Sequence, residues 1–451
     1  MASAAEQLAA NLNFSAIGKA EELKKRIWFT LGVLIIYRLG TFIPLPGINT
    51  EEFLSKFSAS GASQGLLGMF NMFAGGAVER MAIFALNIMP YISASIIVQL
   101  LSSVVPSLET LKKEGESGRK IINQYTRYLT LVLAVFQSWG IAIGLQSSGN
   151  IVTNPGFMFT FSTVITLTGG TLFIMWLGEQ ITSRGIGNGT SLIIFSGIVA
   201  GLPSTISRLM SMGWGQGRTG LVLFIIIMAA LIVLFVVFME RAQRQLLITY
   251  PKRQVGNKLY EGQKSFLPLK LNTSGVIPPI FASSLLMLPI TFLSFSPAAQ
   301  AGETEGFAGF LSTMAIHLNH GRPAYMIVYA FLIIFFTFFY TAVVFNPKDT
   351  ADNLKKQGGF IRGFRPGEKT AEHIDHVLSR ITVIGAGYLT LVCLFPEILI
   401  SWSGLPIYLG GTSLLIVVSV TMDTVAQVHG HLMAYQYEGL IKKSNLRGSR
   451  R

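Results

Sequence analysis

Long uncharged apolar runs dominate the chain. Residues 221–239 contain no charged side chain, and neither do residues 324–345. A bilayer core about 30 Å thick is crossed by about 20 apolar residues in a helix. On that scale the pattern predicts ten spans, at 27–45, 80–104, 125–146, 157–178, 190–208, 220–239, 274–294, 324–345, 380–399 and 406–425. The expected fold class is all-α: a polytopic membrane protein with ten transmembrane helices. Several spans carry residues that a lipid-facing helix does not need. The seventh holds Pro278, Pro279 and Pro289. The second holds Pro90, followed by Ser93, Ser95 and Gln99. The fifth is approached through Gly185, Gly187, Asn188 and Gly189. Such residues are tolerated where neighbouring helices or water satisfy the freed backbone groups. They mark either packing kinks in a bundle or spans that line an aqueous path or move.

Between the first two spans, residues 65–76 read Gly-Leu-Leu-Gly-Met-Phe-Asn-Met-Phe-Ala-Gly-Gly. The segment is apolar but too short to cross a bilayer. It fits a re-entrant half-helix, an interfacial helix or a cap folded into a cavity.

Composition narrows the function classes. Of the 451 residues, 51% are hydrophobic and 13% charged, against about 25% charged in ordinary soluble domains. A chain this long and apolar does not fit one soluble core, because cores stop growing near about 250–300 residues. An ordinary soluble enzyme and a disordered chain are both excluded. The one cysteine, Cys393, excludes a disulfide scaffold and Cys-based zinc or iron–sulfur sites. The net charge of +13 is unevenly placed. Of the 35 Lys and Arg residues, 29 lie before span 1 or on the side that follows the even-numbered spans. That asymmetry predicts a multi-pass membrane protein with both termini in the cytoplasm. Lys24, Lys25 and Arg26 precede an apolar run as in a signal peptide. Arg38 interrupts that run and no small-residue cleavage site follows, so the first span is expected to be retained.

Candidate chemistry within the spans is sparse. Glu179, Glu240, Glu397 and Asp423 all fall at span ends, whereas an ion-coupled transporter or pump keeps an ionisable group near mid-membrane. Arg38 lies toward the outer end of span 1 and is long enough to snorkel. No phosphate loop is present, and Gly185-x-Gly-Asn-Gly189 lacks the spacing and preceding strand of a dinucleotide fingerprint. His373 and His376 share a spacing suited to one helix face but have no evident third ligand, and His429 and His431 fare no better. No metal and no cofactor are expected. A path free of charged selectivity residues suits a large or variable cargo. The segments 240–273 and 346–379 are long and basic. They act either as topology determinants or as a docking surface for a partner that is acidic or rich in phosphate. Arg365-Pro-Gly-Glu368 predicts a tight turn with Arg365 at its tip.

Ten ordered stretches resemble the SecY family, the channel subunits of bacterial protein translocases. They are Phe70-Asn-Met-Phe-Ala-Gly-Gly76, Ile88-Met-Pro-Tyr-Ile-Ser-Ala-Ser-Ile-Ile97, Lys112-Lys-Glu-Gly-Glu-Ser-Gly-Arg119, Gln124-Tyr-Thr-Arg127, Trp176-Leu-Gly-Glu-Gln-Ile181, Arg184-Gly-Ile-Gly-Asn-Gly189, Phe345-Asn-Pro347, Ala351-Asp-Asn-Leu-Lys-Lys356, Arg365-Pro-Gly-Glu368 and Gly410-Gly-Thr-Ser-Leu-Leu415. The resemblance implies two inverted five-helix halves, 27–215 and 216–425, around a central pore. A cytoplasmic segment 1–26 and a tail 426–451 would flank them. It implies a constriction ring at Ile88, Ile92, Ile194, Ile280 and Ile416. It also implies a re-entrant plug half-helix with Met69, Phe70, Asn71, Met72 and Phe73 as its body, followed by a permissive turn at Gly75 and Gly76. A lateral gate would lie between spans 2–3 and spans 7–8.

For docking, the resemblance points to Arg365 and Tyr437 toward the motor, and to Lys252, Arg253 and Lys258 toward the ribosome. Asn257-Lys258 departs from a common bacterial relative that has two adjacent Arg there. The partners implied are the SecE and SecG subunits, the SecA ATPase, the ribosome, the translocating polypeptide, SecDF, YidC and membrane lipids. The N-terminal stretch and the outer segment 297–322 match poorly, and nothing is carried over to them. The chain is then a passive channel for unfolded polypeptides and not an enzyme. The alternatives are a small-solute secondary transporter with inverted repeats, which the lack of a mid-span carboxylate disfavours, and a membrane enzyme, for which no convergent polar site is evident.

Overall fold

The computed structural model describes residues 20–59, 66–147, 151–215, 219–251, 253–255, 258–260, 264–294, 322–403 and 410–448. Their helices are α1 (Glu21–Gly40), α2 (Thr50–Ala59), α3 (Leu66–Phe73), α4 (Met89–Val104), α5 (Pro106–Lys113), α6 (Glu116–Ser147), α7 (Phe157–Arg184), α8 (Gly189–Gly215), α9 (Thr219–Arg241), α10 (Ile277–Ser294), α11 (Pro323–Val344), α12 (Pro347–Lys356), α13 (Glu368–Ser403) and α14 (Gly411–Gly448). The ten predicted spans fall in order on α1, α4, α6–α11, α13 and α14. Among the described residues seven helices are individually long and apolar enough to cross a bilayer, and there are eight when α4 and α5, bent by 101°, are counted as one broken span. Helix α9 is apolar all round and exposes Leu223, Phe224, Ile226, Ile227 and Leu234. A helix with no polar face needs an apolar solvent on its outside.

The second span differs from its prediction. Helix starts only at Met89, with Pro90 in its first turn, where the missing N–H costs nothing. The 15 residues before it, 74–88, wind through successive turns. Their backbone groups are met internally: Ile83 N donates to Ile43 O at 2.9 Å, Leu45 N to Met81 O at 2.9 Å and Ala82 N to Ala77 O at 2.8 Å. Non-helical backbone at membrane depth is stable only when protein surrounds it in this way. Ala74, Ala77, Ala82, Ala85 and Leu86 are all buried here.

The basic segments also hold structure that the apolar pattern does not announce. Strand β1 (Gln243–Thr249) pairs antiparallel with β4 (Lys264–Lys270) and with the two-residue β5 (Phe360–Ile361), while β2 (Arg253–Val255) pairs with β3 (Lys258–Tyr260). Leu246, Ile248, Leu269 and Ile361 of the sheet pack on Leu354 of α12 and on Ile374 and Ile381 of α13. The two long segments therefore build one platform. Helix α12 is started by Phe345-Asn-Pro347. Pro347 forces Asn346 into an extended conformation, which ends α11, and Asn346 Oδ1 then caps Lys348 N at 3.1 Å. Asp349 in the first turn and Lys355 and Lys356 in the last turn complement the helix dipole. At the same end Lys112 Nζ of α5 donates to Val343 O in the last turn of α11 at 3.0 Å.

Candidate functional site

Four helices deliver isoleucines to one place. Ile92 comes from α4, Ile194 from α8, Ile280 from α10 and Ile416 from α14. Together with Phe73, the last residue of α3, they line a small cavity of about 10 Å³. That volume is near the lower limit for a single water molecule. Ile88, the fifth predicted ring position, does not line it. It caps the start of α4 and is fully buried in the same core. One side of this waist opens into a cavity of about 650 Å³ that shares Ile92, Ile194 and Ile280 with it. Its wall is about evenly polar and apolar, with Ser95, Gln99, Asn123, Thr182, Asn188 and Thr190 among the polar lining residues. Arg127 of α6 and Glu179 of α7 form a bidentate pair on this wall, with Nε–Oε1 and Nη2–Oε2 both 2.8 Å. Tyr91 of α4, Phe281 of α10 and Tyr340 of α11 complete it on the side where the two halves of the chain meet.

Tight helix approaches set this geometry. A Cβ at Gly189 would overlap Gly178 O, and one at Gly411 would overlap Val392 O. The elbow between α7 and α8 is tied down further: Ile186 N donates to Thr30 Oγ1 at 3.1 Å and Gly187 N to Gln427 Oε1 at 2.8 Å. The Gly-rich approach to span 5 is thus a packing device that joins α1, α7, α8 and α14.

Helix α3 sits against the opposite side of the waist. Gly75 and Gly76 adopt the positive φ values of 65° and 83° that the Gly pair predicts. Gly76 N donates to Asn71 O at 2.8 Å. Asn71 Oδ1 accepts from Val78 N at 3.1 Å and Glu79 N at 3.0 Å, and Asn71 Nδ2 donates to Glu79 Oε2 at 3.0 Å. Phe73 is buried, Phe70 packs on the same core, and Met72 Sδ lies 3.8 Å from Ser413 Oγ of α14. The side chain of Met69 lies outside the described set. Arg38 does not follow the snorkelling expectation. Its guanidinium turns inward to the Gly75 carbonyl oxygen at 2.5 Å and lies over the Phe42 ring. The Gly75 carbonyl oxygen in the turn after α3 and Thr41 Oγ1 are its acceptors.

At the platform end Arg365 is exposed at the predicted turn, where Gly367 has φ 107° and Thr370 Oγ1 donates to Arg365 O at 2.8 Å. Arg253 and Lys258 fall in β2 and β3, and Tyr437 falls in α14. The side chains of all three lie outside the described set, as does Lys252 entirely. His373 stacks on Phe364, with ring centroids 4.0 Å apart. Among the described residues no three His, Cys, Asp or Glu side chains gather as metal ligands do. Sequence reasoning missed the Arg127–Glu179 pair, the inward turn of Arg38 and the buried Asn87. Only Asn87 left a trace, as a polar residue in an otherwise apolar stretch.

The SecY family model matches residues 82–425. The protein translocase subunit SecY of Escherichia coli strain K12 is 51% identical over 442 residues, covering 96% of this chain and 97% of that protein. The protein of the same name from Vibrio cholerae is 52% identical over 437 residues, again covering 96% and 97%. Among solved structures, a protein-conducting channel matches with a TM-score of 0.60 at 18% identity, covering 91% of this chain and 92% of that one. Sec61 in a canine ribosome–channel complex matches with a TM-score of 0.57 at 18% identity, with the same coverage. At these low identities the structural likeness is one of fold. With the family match spanning most of the sequence and half of all residues shared with bacterial translocase subunits, the chain belongs to the SecY family.

Proposed function

We propose that this chain is the protein-conducting channel of an inner-membrane Sec translocase, passing unfolded polypeptides outward and releasing apolar segments sideways into lipid. The observation that carries the reading is the aliphatic waist between an open cavity of mixed polarity and the seated helix α3. Ile92 and Ile194 belong to the half 27–215 and Ile280 and Ile416 to the half 216–425, so parting the halves widens the waist. Apolar side chains at a narrow constriction resist wetting and so block ions when no chain passes. They also yield to many peptide sequences. In this reading α3 is the plug, and Ile88 supports the ring from behind. The gate is the seam where α4 and α6 meet α10 and α11, through which Leu, Ile, Phe and Val partition at roughly 0.3–0.6 kcal/mol each.

The chain catalyses nothing itself. Energy comes from the SecA ATPase or from ribosomal synthesis, and SecE and SecG complete the complex. The canine Sec61 neighbour and a yeast Ssh1 neighbour are both bound to ribosomes, which supports the platform as the docking face, with Arg365 at its tip. The platform end and both termini are then cytoplasmic, in line with the Lys/Arg asymmetry. SecDF and YidC are further partners in this scheme.

The test is disulfide crosslinking to a secretory chain halted in transit, with single cysteines placed by I280C and I416C after Cys393 is replaced. Crosslinks at both positions, lost when the chain is released, are expected. No crosslink with an engaged substrate would overturn the reading and return attention to a solute transporter, for which ion-driven uptake into vesicles is the assay.

A further inference from the structure

Helix α3 and the waist meet at one side chain. Asn87 is the last residue before Ile88 and is 1% exposed. Its backbone is left-handed at φ 48°, a conformation that Asn, Asp and Gly enter far more readily than other residues. Its Nδ2 donates to Phe73 O at 2.7 Å. Phe73 ends α3, so its carbonyl is one of those that a helix end leaves without an intrahelical donor. The same Asn87 side chain lines the small cavity with Phe73 and four ring isoleucines. Its Oδ1 is buried, and the Tyr37 hydroxyl is its polar neighbour. One amide therefore holds the end of α3 while standing in the wall of the waist.

We infer that Asn87 is a positioning residue that sets signal-sequence specificity: its amide latches α3 in the closed position, and a signal sequence must supply enough binding energy to break that latch. The inference rests on the reading of α3 as the plug. The latch is well matched to a gate that cycles. When α3 leaves, Phe73 O and Nδ2 each gain solvent, so the net bias is that of an ordinary intramolecular hydrogen bond, a factor of roughly two to twelve in the closed-to-open ratio. A latch of that size raises the threshold for weak signals without trapping the channel shut. The left-handed backbone explains why the donor is an Asn. A Gln would place the amide one methylene further out, and its backbone would resist the turn that aims it at Phe73.

The test compares Asn87→Gly with Asn87→Asp in the assembled complex. Both variants tolerate the left-handed backbone. Gly removes the side chain, whereas Asp keeps its shape, replaces the amide donor by an oxygen and, when ionised, also sets a negative charge facing Phe73 O. With Cys393 replaced, M72C reports plug displacement through its rate of alkylation by an impermeant maleimide added to the outer side of the membrane. Export of a precursor with a defective signal sequence reports specificity. Both variants are expected to raise both readouts by roughly two- to twelvefold. A Gly variant that matches the parent in both readouts would overturn the inference, as would an Asp variant that matches it at alkaline pH, where an ionised carboxylate has no proton to donate to Phe73 O. A parent complex that fails to export an intact precursor would instead bring down the channel reading beneath it.

Discussion

Replacing Gly197 by Ala probes how closely α3 is seated. Gly197 is on α8, and a Cβ there would overlap the Phe73 carbonyl oxygen and lie 3.2 Å from Gly75 N. Both neighbours are backbone and cannot rotate away. Restoring ordinary van der Waals separation requires the end of α3 to retreat by roughly 1 Å. A retreat of that size takes Phe73 O, now 2.7 Å from Asn87 Nδ2, out of the usual hydrogen-bond range of about 2.7–3.2 Å. Overpacking of this kind costs about 1–3 kcal/mol, which lowers the closed-to-open ratio roughly five- to 150-fold. Gly201 provides the control. It lies one turn further along α8, and a Cβ there meets only Met72 Cγ at 4.0 Å. Both substitutions gain the same helix propensity of about 0.5–1 kcal/mol, so the difference between them isolates the seat of α3. The assay is halide permeability of vesicles holding the complex, together with outer-side alkylation of M72C. Gly197→Ala should leak and alkylate quickly, and Gly201→Ala should match the parent. Equal behaviour of the two would refute the claim that α3 rests on Gly197.

Ile416→Asn puts an amide into the closed waist, where an unpaired polar group costs about 1–3 kcal/mol that is relieved when the pore hydrates; export of precursors with defective signals should rise, and an unchanged rate would count against the ring assignment. Arg365→Glu should impair motor-driven export without loss of folded protein. The side chain is exposed and the turn is held by Gly367 and Thr370, so normal export by this variant would remove Arg365 from the docking face. Gly411→Val should lower the yield of membrane-inserted protein, since even a Cβ there overlaps Val392 O; accumulation equal to the parent would show that α13 and α14 can part. Arg127→Lys should leave protein levels intact and change thermal stability little, because exposed ion pairs contribute about 0–1 kcal/mol. A large drop in melting temperature would show the Arg127–Glu179 pair to be structural.

The spans were legible because some twenty uncharged residues in a row leave few alternatives in a folded chain. The limits of the second span were not. Residues 80–88 are as apolar as those that follow, and hydrophobicity does not register the left-handed backbone at Met81 and Asn87 or the break before Pro90. The platform was hidden for another reason. Strand β1 points only Leu246 and Ile248 inward, with the exposed apolar Leu247 between them to blur the alternation, and its partner β5 is two residues long and more than a hundred positions away. Alternation that short is not distinguishable from a loop. The waist was readable only through family likeness, since an isoleucine at a pore and one in a helix packing face carry the same local pattern. The inward turn of Arg38 depends on a carbonyl 37 residues away, which no local spacing encodes.

The waist has a thermal consequence. It is lined chiefly by branched aliphatic side chains from four separate helices, and contact among those side chains, unlike the Asn87–Phe73 hydrogen bond beside them, has no donor or acceptor to realign after a chain has passed. Resealing is therefore indifferent to what was exported and leaves no memory of it. The force behind it is apolar dehydration, which weakens on cooling. On the proposed reading of this waist as the channel's seal, tightness falls with temperature, and the aliphatic ring then contributes to the lower temperature limit of a membrane that must export protein and still hold a proton gradient.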